Sequence, residues 1–278
     1  MASHILLIHC PDQPGLIASI TGALFRHNLN IISNGEFVER TVNHFFMRTE
    51  FSGDFVATAL ETDLRAALPP NVSLRLSPLN KKEIVVLATK EHHCLADLLV
   101  RHSFGELGAN IKAVVSNHDA LSSLVQKFDI PFHYLPHQDV ERDKHEQQLA
   151  AAIDKYAPEF IVLAKYMRIL SSGFVSLYRN KIINIHHSFL PAFVGARPYA
   201  QAYERGVKII GATAHFVNDQ LDEGPIIAQN VIPVNHTHNA REMAQAGRDV
   251  EQIVLANALS LVFNERVFVH GNKTVIFD

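Results

Sequence analysis

The first eighty residues contain short apolar runs separated by two segments with helical spacing. In residues 15–27, apolar residues recur three and four positions apart, which places them on one face of a helix. They are Leu16, Ile17, Ile20, Leu24 and Phe25. The predicted elements of this region are strands at 4–10, 31–39, 43–51 and 72–76 and helices at 15–27 and 55–68. This β-α-β-β-α-β order predicts a ferredoxin-like domain over residues 1–80, with a short linker at 77–82.

From residue 83 onward, short β-branched runs alternate with amphipathic helical segments. The predicted strands lie at 83–89, 111–116, 132–135, 160–163 and 181–185, and the helices at 95–103, 121–128 and 141–156. Such alternation is typical of a doubly wound, mostly parallel sheet. The remaining predicted elements are a hairpin of 207–217 and 225–234, a helix at 239–263 and a last hairpin of 267–269 and 274–277. We therefore predict an α/β protein whose second domain covers residues 83–278.

Composition narrows the function classes. With 278 residues, the chain is long enough for two domains with separate cores. The formal charge is −3 and no basic stripe is interleaved with aromatic residues, so no nucleic-acid partner is predicted. No apolar run reaches the length that spans a bilayer, and the N-terminus lacks the order of a secretory signal. We expect a cytoplasmic protein without a membrane partner.

Cysteine and histidine usage bears on metal binding. Cys10 and Cys94 are the two cysteines and fall in different predicted domains, which disfavours a disulfide or a cysteine metal site. The chain has 17 histidines, among them the adjacent pairs His92-His93 and His186-His187. Neighbouring residues on a strand point to opposite faces, so neither pair is expected to ligate one ion. We predict no metal, with a carboxylate–histidine site as the alternative.

The predicted strand 181–185 ends abruptly in polar residues. Asn184 and His186 are two positions apart, so an extended backbone places both side chains on the same side. Sites in open α/β sheets lie at the carboxyl ends of strands. Pro191, Gly195 and Pro198 then predict a loop rather than a helix. The alternative is that Asn184 and His186 only satisfy local backbone groups.

A second candidate segment is the acidic loop 218–224, which joins the two strands of the predicted hairpin. It carries Asp219, Asp222 and Glu223. Carboxylates in such a turn are commonly solvated and without a specific role.

Together these segments resemble the folate-dependent formyltransferase/hydrolase family over about residues 83–278. The motifs are N-I-H-x-S-x-L-P at 184–191, D-x-G at 222–224 and Y-M-R-I-L-S at 166–171. The resemblance implies that Asn184, His186 and Asp222 are the catalytic residues. It further implies a folate-binding set of Met167, Arg168, Ile169, Leu170, Asn218 and Asp219. For the Met167 and Leu170 side chains, packing in the core is the alternative.

The N-terminal domain resembles the ACT family of regulatory domains. The motifs are D-x-P-G-L at 12–16 and an N-I turn into the second strand. The resemblance implies a homo-oligomer whose paired ACT-like domains bind an amino-acid effector. The implied effector residues are Asp12, Gln13, Gly15, Leu16, Asn30 and Ile31. The alternative is that this domain only dimerises the protein.

The predicted reaction follows from the resemblance and from one departure. In the family member that formylates a phosphorylated glycinamide, a glycine-rich loop after the first strand of this domain holds the phosphate. The corresponding segment 90–94 has no glycine, and we expect no C-terminal barrel like that of the relative that formylates a tRNA. An ACT-like domain fused to this core is the arrangement of the hydrolase branch. We therefore predict hydrolysis of 10-formyltetrahydrofolate to formate and tetrahydrofolate, within one-carbon and purine metabolism, with folate as substrate and no cofactor.

The resemblance also implies roles for the side chains. Asn184 would donate to the formyl oxygen together with His186, and Asp222 would orient His186 and act as general base, directly or through a relay. His187 would limit the acceptor to water, or else would pack outward. The rival functions are formyl transfer to a small unphosphorylated amine and amino-acid sensing on an inactive core.

Overall fold

The computed structural model describes residues 3–191 and 198–277, which form two compact units. The first unit contains the residues up to Asn80 together with Asn264–Arg266 and Phe277. The second contains Lys81–Phe263 and Val267–Ile276. The predicted linker at 77–82 is too long, because strands occupy both of its ends. Within the described residues, no helix combines the length and apolar character needed to cross a membrane.

The first unit is an antiparallel four-stranded sheet covered by two helices. Its elements are β1 (Ser3–Pro11), α1 (Leu16–Arg26), β2 (Asn30–Glu39), β3 (His44–Ser52), α2 (Ala57–Ala67) and β4 (Ser73–Pro78). The strand order is β2-β3-β1-β4, as the ferredoxin-like prediction requires. The α1 face that packs in the core consists of Leu16, Ile20, Ala23 and Leu24. Ile17 and Phe25 were predicted on this face but are 42% and 79% exposed. The part of the helix surface that contacts the core is narrower than the apolar face predicted from the sequence.

The second unit is a three-layer α/β structure. Its elements begin with β5 (Lys82–Ala88), α3 (His93–Ser103), β6 (Ala109–Ser116), α4 (Ser122–Gln126), β7 (Phe132–Tyr134), α5 (Arg142–Asp154) and β8 (Phe160–Ala164). They continue with α6 (Ser172–Leu177), β9 (Ile182–His186), α7 (Pro198–Glu204), β10 (Ile209–Phe216), β11 (Ile226–Pro233), α8 (Ala240–Phe263), β12 (Val267–His270) and β13 (Lys273–Ile276). The large sheet has the order β11-β10-β9-β8-β5-β6-β7. The strands from β9 to β7 are parallel, whereas β10 and β11 are antiparallel, so the predicted mostly parallel sheet is confirmed.

Alternating side chains of the parallel strands enter two different cores. On one face, Ile84 and Val86 pack with residues of α3 and α8. On the other face, Val85 and Leu87 pack with residues of α5 and α6. The order in which strands are added to the sheet reverses between the parallel neighbours β5 and β8, because β6 and β7 extend the sheet on one side and β8 and β9 on the other. Ligands of open α/β sheets bind at the carboxyl ends of strands beside such a switch point.

Two short helices were not predicted. The helix α6 follows Ser171, whose hydroxyl accepts a hydrogen bond from the Phe174 backbone amide as an N-cap. The helix α7 begins at Pro198, where the sequence predicted a loop. Proline is compatible with the first position of a helix because the amide hydrogen it lacks would have no helical partner there. The part of the predicted loop at 192–197 lies outside the described residues.

Candidate active site

A cavity of about 520 Å³ opens at the carboxyl ends of β8 and β9 and is closed on one side by the loop that joins β10 to β11. The structure brings all the predicted catalytic and folate-binding residues to its wall. These residues are Asn184, His186, Asp222, Met167, Arg168, Ile169, Leu170, Asn218 and Asp219. A cavity of this size matches a small-molecule ligand.

His186 and Asp222 form a pair at this cavity. The Nδ1 atom of His186 lies 3.2 Å from Oδ1 of Asp222, and both side chains are largely buried. Burial raises the pKa of Asp222, but the hydrogen bond and charge of His186 outweigh it, so the pKa is lowered and the carboxylate stays ionised. Among the described residues, Nε2 of His186 has no hydrogen-bond partner. With Nδ1–H donated to Asp222, this atom can accept a proton.

Gly224 explains the spacing of the D-x-G motif. A Cβ atom at this position would lie 1.7 Å from the backbone oxygen of Phe216, so only glycine allows this close approach. Asp222 itself has a φ of 58°. Of the loop carboxylates, Asp219 and Glu223 are exposed, as in a solvated turn, whereas Asp222 faces His186.

Asn184 is oriented by a residue that the sequence did not indicate. Its Nδ2 lies 3.2 Å from Nε2 of His215, and Nδ1 of His215 lies 2.9 Å from the Phe216 backbone oxygen. Because a carbonyl can only accept, Nδ1 of His215 carries the hydrogen and Nε2 accepts from the Asn184 amide. Burial lowers the pKa of His215, which favours this neutral form. The second amide hydrogen of Asn184 is then available to a ligand oxygen in the cavity.

His187 also lines the cavity, so the outward-packing alternative is wrong. Its ring stacks on His186 with ring centres 4.9 Å apart and an angle of 23° between the planes. β9 ends at His186, so the opposite-face rule for neighbouring strand residues does not extend to this pair. Burial, followed by the charges of Lys165 and His186, lowers the pKa of His187 to about 4. His187 is therefore a neutral imidazole at pH 7.

The segment after β8 is fixed to the rest of the unit through its backbone. The Met167 amide donates to Oγ1 of Thr89 at 3.0 Å, and the Ile169 carbonyl accepts from Arg142 at 3.0 Å. The Ser171 amide donates to Glu146 at 2.8 Å. The Met167 side chain is 57% exposed, so its predicted alternative of core packing is wrong, whereas Leu170 does pack against the core. Fixed peptide groups beside exposed apolar side chains suit a flat heteroaromatic ring.

The comparisons with known proteins match both units. The family model "Formyl transferase" covers residues 82–259, and "ACT domain" covers residues 4–68. The formyltetrahydrofolate deformylase of Escherichia coli strain K12 is 57% identical over 98% of this chain and 97% of its own length. The Bacillus subtilis deformylase is 41% identical over 98% of this chain and 93% of its own length. This chain belongs to the formyltetrahydrofolate deformylase family.

Solved structures give the same result. The formyltetrahydrofolate deformylase of Pseudomonas syringae aligns with a TM-score of 0.96 at 39% identity, over 100% of this chain and 95% of that one. A glycinamide ribonucleotide transformylase of Symbiobacterium toebii aligns with a TM-score of 0.68 at 27% identity, over 71% of this chain and 95% of that one. The deformylase family thus shares the fold of its second unit with transferases.

In this deformylase-family chain, the predicted effector residues do not form one pocket within the first unit. Asp12 and Gln13 follow the end of β1 at Pro11, which pairs with His44. Asn30 pairs with Ser52, at the end of the sheet where β1 begins. The two groups are therefore separated by the length of a nine-residue strand, roughly 30 Å. The Leu16 side chain is buried in the core, so only its backbone is available to a ligand.

Proposed function

We propose that this chain hydrolyses 10-formyltetrahydrofolate to tetrahydrofolate and formate. The observation that carries the proposal is the convergence of the Asn184 amide and the His186–Asp222 pair on one cavity. The identity of the substrate is inferred from membership in the formyltetrahydrofolate deformylase family. The fixed backbone of Met167–Leu170 supports binding of the pterin ring, whose donors and acceptors match peptide groups.

The first step is attack of water on the formyl carbon. Nε2 of His186 takes a proton from water, a C–O bond forms, and the formyl oxygen becomes an oxyanion. The free amide hydrogen of Asn184 stabilises this oxyanion, and the Asp222 carboxylate stabilises the imidazolium of His186. The pair is already in place, because Asp222 and His186 are within hydrogen-bonding distance.

The second step is cleavage of the bond between carbon and N10. The imidazolium of His186 returns its proton to N10 as the C–N bond breaks, which releases tetrahydrofolate and formic acid. The attack in the first step consumes one water for each formyl group, and the formic acid that is released ionises to formate. This proton transfer is needed because an arylamine anion is a poor leaving group.

We also propose that an amino acid regulates the activity through a homo-oligomer. The effector residues of one copy lie at opposite ends of its sheet. Two copies placed side by side could bring Asp12 of one next to Asn30 of the other, which supports a pocket shared between subunits. Titration calorimetry of the full-length chain with each common amino acid tests this proposal. The proposal is supported if an amino acid binds and if Asp12→Ala and Asn30→Ala each abolish that binding. If none of the amino acids binds, dimerisation alone is favoured as the role of this domain.

The reaction itself is tested in buffer that contains 10-formyltetrahydrofolate and a chelator but no amine. The purified chain should release formate and tetrahydrofolate in equal amounts over many turnovers. If formate appears slowly and phosphoribosyl glycinamide accelerates folate release while becoming formylated, the chain is a transferase. If neither product forms, the sensor alternative stands. If the chelator abolishes turnover, the reaction needs a metal.

A further inference from the structure

A buried polar network lies directly behind the cavity, in the second unit. Its centre is Glu251 of α8, which is fully buried. Oε2 of Glu251 accepts from Nε2 of His93 at 2.7 Å and pairs with Nζ of Lys165 at 3.2 Å. Oε1 accepts from the Tyr199 hydroxyl at 2.6 Å. Burial raises the pKa of Glu251, but His93, the charge of Lys165 and the Tyr199 hydroxyl outweigh it and lower the pKa to about 2.

The helix α8 has a glycine, Gly247, where the Tyr199 ring packs against it. A Cβ atom on Gly247, one turn before Glu251, would lie 2.1 Å from the Tyr199 hydroxyl oxygen and 2.2 Å from Cζ. Glycine at this position therefore makes room for the ring. Such a fit holds the tyrosine against Glu251.

Lys165 connects this network to the cavity. It follows the last residue of β8, has a φ of 62°, and is 4% exposed. Lys165 lines the cavity together with His187, whereas Glu251 lies behind it. The lysine charge also contributes to the lowered pKa of His187. Beside the proposed catalytic residues, the cavity wall therefore contains the ammonium group of Lys165 and the neutral imidazole of His187.

The same cluster could be considered a metal site, because ligand atoms of His93, Cys94 and Glu251 lie within 4.8 Å of one another. Two observations argue against it. Both carboxylate oxygens of Glu251 already accept hydrogen bonds or pair with Lys165. Burial raises the pKa of Cys94 well above its usual value, which favours the neutral thiol over the thiolate that metals bind.

We propose that Lys165, held in place by Glu251, His93 and Tyr199, determines acceptor specificity by reserving the acceptor position for water. This inference rests on the proposed hydrolysis. An amine in neutral water is largely an ammonium ion, and its approach to the formyl carbon brings it towards the Lys165 ammonium. Water is neutral and meets no such repulsion.

The pairing of Glu251 has a second consequence for an incoming amine. A free carboxylate at this place would attract an ammonium group and accept its hydrogen bonds. Lys165 neutralises the carboxylate, and His93 and Tyr199 use its remaining acceptor capacity. His93 comes from the glycine-free segment 90–94, so this segment contributes a side chain to the network behind the cavity.

The test measures how the formyl group divides between water and an added amine. Wild-type protein and variants are incubated with 10-formyltetrahydrofolate and glycinamide near pH 8, and formate and N-formylglycinamide are quantified by mass spectrometry. Lys165→Met removes the ammonium from the cavity wall and leaves the buried Glu251 carboxylate without its lysine partner. The ratio of formylglycinamide to formate should rise at least tenfold. Lys144→Met removes an exposed lysine of α5 and should leave the ratio unchanged.

Two further variants keep the test decisive if Lys165→Met folds poorly because it leaves an unpaired buried charge. Lys165→Met/Glu251→Gln removes both charges and should raise the ratio less than the single variant. Tyr199→Phe deletes one hydroxyl and should raise the ratio about twofold. The ratio does not depend on the amount of folded protein. If every variant that still releases tetrahydrofolate has the same product ratio as the wild-type protein, this inference is wrong and the proposed hydrolysis is unaffected. If the wild-type protein forms no formate, the proposed hydrolysis itself is wrong.

Discussion

The Asn184 amide nitrogen lies 3.2 Å from Nε2 of His215, and the two residues are directly paired across the antiparallel strands β9 and β10. This register places His215 where it accepts one amide hydrogen. The other amide hydrogen is left for the formyl oxygen. The antiparallel strand β10, which lies beside the parallel strands of the sheet, thus orients the proposed oxyanion donor.

Asn184→Ala should lower kcat by on the order of 10²–10³ while the KM for folate stays nearly unchanged, because the lost hydrogen bond is stronger in the transition state. Steady-state kinetics with 10-formyltetrahydrofolate measures both parameters. Asn230→Ala, which removes an exposed amide on β11, is the matched control and should have no effect. A change confined to KM would contradict the oxyanion role.

His215→Phe should lower kcat by about five- to tenfold, since it removes a positioning hydrogen bond of about 1 kcal/mol while keeping a ring of similar size. In the Asn184→Ala background the same substitution should have little effect, because the side chain it positions is absent. A double-mutant cycle on kcat measures this coupling. Equal losses in both backgrounds would show that His215 acts independently of Asn184.

His186→Ala and Asp222→Asn should each lower kcat at least as strongly as Asn184→Ala. The double variant should be little worse than the more severe single variant, because a base and the carboxylate that orients it act as one unit. Single-turnover kinetics of the four proteins tests the coupling. Losses that multiply would place the two side chains in separate steps.

The pKa of His187 predicts a stability change in mild acid. Its folded value is about 4 against an ordinary value of 6.5, so between these two pH values the unfolded chain binds a proton that the folded protein does not. Stability should therefore fall as the pH falls from 6.5 to 4, by on the order of 3 kcal/mol at most. Denaturant unfolding at pH 7 and pH 4.5 measures the change. His187→Gln should reduce it, and the exposed His236→Gln should not; an unchanged pH dependence in His187→Gln would refute the assignment.

Gly247→Ala should lower the thermal stability of the protein, although alanine has the higher helix propensity. Alanine in a helix interior is favoured over glycine by about 1 kcal/mol. At Gly247, however, the new Cβ atom would lie 2.1 Å from the Tyr199 hydroxyl oxygen and displace that ring from Glu251. Gly22→Ala in α1 meets only Arg26 Nη1 at 3.6 Å and serves as the control. Thermal unfolding should show a lower midpoint for Gly247→Ala and an equal or higher one for Gly22→Ala. A higher midpoint for Gly247→Ala would mean that the ring moves without cost.

The sequence by itself determined the features that depend on local repetition or on short motifs. Alternating and helical spacing predicted both units and the strand that carries Asn184 and His186, because side-chain direction repeats every two residues on a strand. The D-x-G motif located Asp222. Gly224 is required there by a backbone contact with Phe216, only eight positions away.

The tertiary structure alone decided which distant side chains meet at the site. His215 contacts Asn184 because β10 runs antiparallel to β9 in one register, and Glu251 contacts Lys165 because α8 packs against the face of the sheet below the end of β8. His187 faces the cavity because the strand ends one residue earlier. Periodicity shows which face of an element is buried, but it carries no information about the partner of that face. Those partners are selected by the packing of elements that are far apart in the chain.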